Sequence, residues 1–229
     1  SVKEKTLLVD LLPPEFESGW KVAINQNIAS SKRYSAIFLN TQKLGNKQLR
    51  QSLAYATPKS TDKNERCLSP ISPSSWAYNS NVKEYIFNPA KAREFFEPNK
   101  IESVNLTVAD RNLLITAEDI KKSWEEIFKI KVNVKVENQI DTDNYDALLA
   151  YGSVPADPDQ YIFWHSTQTK TNLTKINNPK IDKLLEEGRL TFDSLERKKI
   201  YQEFQKLLSE ESPVIFIHYP TIYSITRNP

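Results

Sequence analysis

The chain contains little of what nucleotide-, metal- and redox-dependent proteins need. Its 229 residues include four glycines, one cysteine, two histidines and no methionine. No two glycines lie within ten residues of each other, which excludes a P-loop and a dinucleotide-binding fingerprint, because both need closely spaced glycines. A single cysteine forms neither an internal disulfide nor a CxxC half-site. His165 and His218 are too far apart to form a metal-binding pair on one helix.

A strong charge bias and a long apolar run are also absent. Lys and Arg number 31 and Asp and Glu number 29, which gives a formal net charge of +2. A nucleic-acid-binding domain has a much larger basic surplus, so we expect no nucleic-acid partner. The apolar run Val214–Ile217 is far shorter than a bilayer-spanning segment. With 39% hydrophobic and 26% charged residues, the composition is typical of a globular chain with a sizeable core.

The two ends of the sequence indicate a part of something larger. The chain begins with Ser1 and has no methionine, so we expect a processed protein or a fragment. A basic segment followed by an apolar one, as in a signal peptide, is not present. At the other end, Arg227-Asn228-Pro229 directly follows a strand-like run.

The order of the predicted elements is that of an α/β fold with a mixed β-sheet flanked by helices. Apolar alternation and short apolar runs predict five strands, at residues 33–40, 102–108, 130–136, 145–151 and 214–217. Capping residues predict where the helices begin: Asn46, Asn88 before Pro89, Thr116 with Asp119, Asn178 before Pro179, and Asp193 with Glu196. Gly188 is expected to end the helix that begins after Asn178.

The segment 57–82 has many Pro, Ser and Asn residues and little periodicity, which is typical of an ordered surface loop or a mobile flap. Trp76 and Tyr78 lie within it. An aromatic pair in a polar loop either anchors the loop to its own domain or contacts a ligand.

Two sets of residues are candidates for chemistry. Cys67 is a nucleophile only if a histidine pairs with it, and His218 at the end of a strand is typical of a packing residue. No GxSxG elbow is possible with these glycines. The acidic residues form two groups: Asp141, Asp143 and Asp146, and then Asp157-Pro158-Asp159.

The first acidic group is a solvated turn or a calcium loop, although it lacks the glycine and the closing glutamate of such a loop. The second group follows the carboxyl end of a predicted strand, where ligands of α/β proteins bind. Its aspartates either contact a substrate or cap a turn.

Several segments carry a resemblance to a known family, and they occur in that family's order. They are Arg33–Asn40, Leu49–Ala56, Asn88–Ala92, Tyr145–Leu148, Asp157–Asp159, Asn172, Asn178–Leu185, and Arg197, Tyr201 and Gln205 followed by Ser212–Ile215. With them the chain resembles the extracellular solute-binding proteins of oligopeptide, dipeptide and nickel importers, known as family five.

The resemblance implies a periplasmic-binding-protein-like class II lobe. Residues 1–229 correspond to the C-terminal lobe alone, and the N-terminal lobe of the same chain lies outside the sequence. The two lobes of such proteins close on a small solute, a peptide among others, and the permease subunits of an ABC importer detect the closure. The resemblance therefore implies a non-enzymatic protein without cofactors that works outside the cytoplasm, free or lipid-anchored.

The resemblance also places residues. The segment 151–154 is expected to face the cleft, and the predicted cleft wall consists of Tyr34, Tyr151, Ser153, Val154, Asp157 and Trp164. Peptide-binding relatives have an aspartate at the position of Val154, which pairs with the ligand's ammonium group. Valine cannot neutralise a buried ammonium, so a peptide with a free amino terminus fits only if Asp157 or the other lobe compensates. Arg50 is expected to be structural.

Two other functions remain open at this point. One is a hydrolase that uses Cys67 or an Asp pair. The other is a surface receptor or scaffold that does not deliver a transported ligand.

Overall fold

The computed structural model describes residues 7–9, 22–27, 33–60, 66–96, 101–142, 144–220 and 222–227. Its main sheet consists of five strands: β3 (Arg33–Leu39), β4 (Ser103–Val108), β5 (Lys131–Val136), β6 (Ala147–Ser153) and β7 (Val214–His218). They are arranged in the order β5-β4-β6-β3-β7. β4 pairs in parallel with β5 and β6, whereas β3 pairs antiparallel with β6 and β7. The predicted mixed sheet is therefore confirmed.

A second sheet of three strands has the order β1-β8-β2. It consists of β1 (Leu7–Val9), β2 (Val22–Asn27) and β8 (Ile222–Arg227), and both outer strands pair antiparallel with β8. The sequence pattern does not predict the strand at 22–27, because that segment mixes apolar and amide residues without a clear boundary.

The described part of the chain contains six α-helices between the strands. They are α1 (Lys47–Ala56), α2 (Pro89–Phe95), α3 (Leu114–Phe128), α4 (Tyr161–Trp164), α5 (Pro179–Leu190) and α6 (Ser194–Glu211). Four of the predicted N-caps are confirmed by side-chain hydrogen bonds to the first backbone N–H groups: Asn46, Asn88, Asn178 and Asp193.

Two predicted helix boundaries are wrong. α3 begins at Leu114 after a 3-10 turn at Arg111–Leu113, and Asp110 caps that turn by accepting from the Asn112 N–H. Thr116 therefore lies inside the helix and is not its cap. Gly188 also lies inside a helix, since α5 continues to Leu190.

The helices cover both faces of the main sheet. On one face Ile37, Leu106 and Leu149 pack with residues of α1 and α3 such as Leu53 and Trp124. On the other face strand residues pack against α5 and α6 in a second core cluster: Phe38, Leu148, Phe216, Leu185, Phe204 and Leu208. Successive strand residues alternate between these clusters, as the period-two pattern predicts.

The described part of the Pro-rich loop is ordered and docks on α6. Gln205 is the anchor: its Oε1 accepts from Ser69 Oγ at 2.9 Å and from the Asn79 N–H at 3.1 Å, and its Nε2 donates to the Ala77 carbonyl at 2.8 Å. Tyr78 packs against the second core cluster. These contacts confirm an ordered surface loop over residues 66–82, while 61–65 lie outside the described residues.

Arg50 is structural, as predicted. Its guanidinium donates to the carbonyl oxygens of Leu44 and Gly45 at 2.9 Å and of Glu211 at 2.8 Å. It therefore joins the start of α1 to the end of α6.

Candidate functional site

A cavity of about 230 Å³ lies at the carboxyl end of β6 and the beginning of β3. Among the described residues, ten line it: Tyr34, Phe38, Tyr151, Gly152, Ser153, Phe163, Trp164, Lys170, Thr171 and Leu173. Four of the six residues predicted for the cleft wall are among them, namely Tyr34, Tyr151, Ser153 and Trp164. The strand end thus brings residues together that are up to 130 positions apart in the sequence.

Gly152 allows the floor of the cavity to form. It pairs with Tyr34 in the antiparallel ladder between β3 and β6, so both residues face the same side of the sheet. A Cβ atom at Gly152 would lie 2.3 Å from Cζ of Tyr34. Only glycine therefore lets the Tyr34 ring lie across β6, with its hydroxyl end above residue 152.

Aromatic rings form one wall of the cavity. Phe38 and Trp164 pack with 6.3 Å between their ring centroids, and Tyr34 packs edge-on against Phe216 at 5.1 Å. Trp164 is fixed further by a 3.1 Å hydrogen bond from its Nε1 to Oε1 of Gln160. Rings held this way offer a rigid apolar surface to a ligand.

Tyr151 occupies a different environment from Tyr34. It pairs with Ser35 rather than with a residue of the cavity floor, and it packs against the first core cluster. The guanidinium carbon of Arg33 lies 4.4 Å from its ring centroid. Tyr151 lines the cavity, but its ring also contacts Arg33 and the first core cluster.

The segment after α4 completes the cavity with Lys170, Thr171 and Leu173. Buried Asn172 holds this segment, since its Nδ2 donates to the Ile176 carbonyl at 2.9 Å and its Oδ1 accepts from Thr174 Oγ1 at 2.9 Å. The hydroxyl of Tyr145 also bonds to the Leu173 carbonyl.

Val154 and Asp157 do not line this cavity, although both lie in the described part of the chain. The Asp157 carboxylate forms a two-point ion pair with Arg197 of α6, at 2.7 and 3.0 Å, and this pairing lowers its pKa. Asp157 also accepts from the Asp159 N–H at 2.9 Å, and Asp159 pairs with Arg189 of α5 at 2.8 Å. Both aspartates cap their turn and attach it to the helices, as the turn-capping interpretation expects.

Trp76 lies beside the same ion pair rather than at the cavity. The guanidinium carbon of Arg197 is 5.7 Å from its ring centroid. Trp76 and Tyr78 therefore contact other residues of their own domain, as the interpretation that they anchor the loop expects.

The geometry contradicts a catalytic role for Cys67. The residue is fully buried, burial raises the pKa of its thiol to about 12, and its Sγ donates to the Ser69 carbonyl at 3.3 Å. A nucleophilic cysteine needs a lowered pKa and an accessible sulfur. His218 instead contacts Ser35, with 3.0 Å between its Nδ1 and the hydroxyl oxygen.

The first acidic group does not form a metal site in the part of the chain that the structure describes. Asp146 accepts from the backbone N–H and the Nδ2 of Asn105 at 2.8 and 2.7 Å, and Lys43 lies 3.4 Å away. Asp143 lies outside the described residues. No group of three His, Cys, Asp or Glu side chains suited to a metal ion occurs among the residues searched.

Five of the described lining residues were not predicted for the cleft: Phe38, Phe163, Lys170, Thr171 and Leu173. Phe163 belongs to a helix of only four residues, which is too short for a periodic signal. Lys170 and Thr171 lie in a loop, where no pattern predicts direction. The one available signal was Asn172, a polar residue that the resemblance had marked.

The chain is similar to curated binding proteins of bacterial transporters and to a solved structure. No protein-family model matches the chain. It is 25% identical over 176 residues to di/tripeptide-binding protein 1 of Pseudomonas aeruginosa strain UCBPP-PA14, an alignment that covers 68% of this chain and 32% of the relative. It is 27% identical over 190 residues to the probable ABC transporter periplasmic-binding protein SapA of Escherichia coli K12, with 75% and 34% covered.

Among solved structures, NikZ from Campylobacter jejuni in complex with Ni(L-His) superposes with a TM-score of 0.80 at 24% identity, over 92% of this chain and 49% of that one. The chain spans about a third of the length of these two curated relatives. Its homologues include di/tripeptide-binding and ABC transporter periplasmic-binding proteins, so the resemblance to solute-binding proteins seen in the sequence is confirmed. Within the described residues, the helices are too short or too polar to cross a bilayer.

Proposed function

We propose that this chain is the C-terminal lobe of the substrate-binding component of an ABC importer. In this proposal the lobe holds a small solute, peptide-like or other, against an N-terminal lobe of the same protein and presents it to membrane permease subunits. The protein is not an enzyme, and it works outside the cytoplasm. The observation that carries the proposal is the aromatic-lined cavity at the carboxyl end of β6.

The position of the cavity supports binding between lobes. Ligands of α/β proteins bind outside the carboxyl ends of strands, and β6 ends at Ser153 beside the cavity. The volume of about 230 Å³ is below that of a complete small-molecule site, as expected if a second lobe supplies the opposite wall.

The residue types of the lining support binding of a solute rather than its chemical conversion. Its members are aromatic rings, hydroxyls, one lysine and two small or aliphatic residues. Cys67 is buried with a raised pKa, and Asp157 is paired with Arg197. The residues that the hydrolase hypothesis needed are therefore engaged elsewhere in the domain.

The test uses the intact protein that contains this chain. Small molecules that co-purify with it are identified by mass spectrometry, and thermal unfolding is then measured with dipeptides, tripeptides and Ni(L-His) as probes. A ligand at 100 times its Kd stabilises the folded state by about 2.7 kcal/mol, which raises the Tm. Mass spectrometry after incubation is expected to recover the bound probe unchanged.

Ser153→Trp tests whether the cavity is the site. Ser153 is exposed where β6 ends at the cavity, so an indole at this position should obstruct the mouth of the cavity without entering the core, and the ligand-induced rise in Tm should shrink or disappear. Ser80→Trp is the matched control at an exposed serine of the Pro-rich loop, and it should retain the rise. An unchanged rise with Ser153→Trp, or turnover of a probe, would contradict the proposal.

A further inference from the structure

The described lining of the cavity carries a positive charge and no negative charge. Among the described residues of its lining, Lys170 is the only charged one, and none of them carries a carboxylate. Its ammonium group forms no hydrogen bond or ion pair with any described residue. The nearby lysine Lys175, by contrast, donates to the Thr169 carbonyl at 2.7 Å. Lys170 is therefore a cation that the domain itself does not use.

The cavity floor offers a second unused donor. Tyr34 is only 3% exposed, yet its hydroxyl forms no hydrogen bond with the described residues. The hydroxyl end lies above Gly152 at the cavity floor. Burial raises the pKa of Tyr34, so the group stays protonated and able to donate. A ligand or a water molecule in the cavity can accept a hydrogen bond from this hydroxyl.

We propose that this cavity receives the carboxylate end of a solute with an apolar or aromatic body, and that Lys170 pairs with that carboxylate. The inference rests on the proposed binding function and specifies its ligand. The aromatic wall of Phe38 and Trp164 packs against the apolar body, and the Tyr34 hydroxyl donates a hydrogen bond to the solute.

An ammonium group in this cavity would find no counter-charge. The two acidic residues that follow β6, Asp157 and Asp159, are bound to Arg197 and Arg189, and residue 154 is a valine. Taking an ammonium out of water without a partner costs several kcal/mol, and Lys170 would repel it. The lobe therefore discriminates between the two ends of a zwitterionic solute.

The experiment compares matched probes on the intact protein by calorimetry. Acetyl-Ala-Phe carries a free carboxylate and no ammonium, Ala-Phe-amide carries the ammonium alone, and 3-phenylpropionate carries an aromatic carboxylate without a peptide bond. Acetyl-Ala-Phe should bind at least about tenfold more tightly than Ala-Phe-amide, because a hydrogen bond to a charged group is lost in the amide. Binding of 3-phenylpropionate would identify a non-peptide acid as the source of the carboxylate, and its failure would identify a peptide terminus.

Variants of Lys170 assign the effect to this residue. Lys170→Met should weaken acetyl-Ala-Phe binding by about tenfold or more, and Lys170→Arg should restore most of it. Lys170→Glu should reverse the preference towards Ala-Phe-amide. Lys199→Met is the control, since Lys199 is exposed on α6 and does not line the cavity.

The outcomes separate this inference from the proposed function. If Ala-Phe-amide binds as tightly as acetyl-Ala-Phe, or if Lys170→Met leaves the carboxylate probes unaffected, the assignment to Lys170 is wrong and the binding function stands. If no probe binds and nothing co-purifies, both proposals fail.

Discussion

Gly152 shows how one missing side chain shapes the site. Alanine there would place its Cβ 2.3 Å from the Tyr34 ring, so Tyr34 must turn towards the cavity. We expect Gly152→Ala to lower the free energy of unfolding by about 1–3 kcal/mol, as overpacking does, and to abolish ligand binding. Urea unfolding and calorimetry on the intact protein measure the two effects.

Gly45→Ala is the matched control for that variant. A Cβ at residue 45 meets only the Thr41 carbonyl oxygen at 3.5 Å, and the backbone there has no positive φ. Its effect on stability should be close to zero or slightly favourable, because alanine restricts the unfolded chain. If the two variants were equally stable and bound ligand equally well, the packing of Tyr34 on Gly152 would not matter.

At the same scale, the sequence predicted some site residues and not others. Tyr34 and Trp164 belong to the cavity, and both lie in or beside segments that have a pattern or a family match. Lys170 was missed because a loop lysine is normally solvated, and only the three-dimensional position shows that it faces a cavity. Asp157 was predicted for the cleft wall, and the structure pairs it with Arg197, which no local pattern indicates. Whether these residues contact a ligand stays a prediction.

At the scale of elements, the α5–α6 hairpin carries one side of the second core cluster, and its turn depends on Asp193. The Asp193 carboxylate accepts from the N–H groups of Leu195 and Glu196 at 3.0 and 2.9 Å. We expect Asp193→Ala to lower the free energy of unfolding by about 1 kcal/mol, the usual cost of losing an N-cap. Ser194→Ala changes an exposed neighbour that is not the cap, and it should leave stability nearly unchanged. Equal urea midpoints for the two variants would contradict the role of the cap.

An element boundary can be predicted from the sequence when the contacts that set it lie within a few residues along the chain. Asn46, Asn88, Asn178 and Asp193 were predicted correctly, because a cap bonds to backbone groups only two or three residues away. The prediction that Gly188 ends a helix is wrong, since it lies inside α5. Its missing side chain leaves room for the Tyr201 ring, which a Cβ would approach to 2.8 Å. That contact joins two helices, so no local pattern predicts it.

At the scale of the whole molecule, the place and size of the cavity fit the proposal that this domain forms one side of a binding site. Helices cover both faces of the main sheet, which leaves the strand ends as the place where a ligand can be reached. The cavity at that edge is small for a complete ligand site, and its described lining contains one cation, Lys170, and no carboxylate. These features are what a lobe needs if a second lobe is to close over the solute.

Closure gives the last prediction, which concerns the intact protein. A solute held by both lobes stabilises the closed arrangement by its additional contacts there, so saturation with acetyl-Ala-Phe should lower the radius of gyration in small-angle X-ray scattering. At a probe concentration of about three times the Kd of the unmodified protein, Lys170→Met should contract far less, because a tenfold higher Kd leaves it only about a quarter occupied. Lys199→Met should contract like the unmodified protein. A rise in Tm without any contraction would contradict closure and favour a receptor that binds its solute on one lobe. A contraction that Lys170→Met retains would instead place the carboxylate on the other lobe.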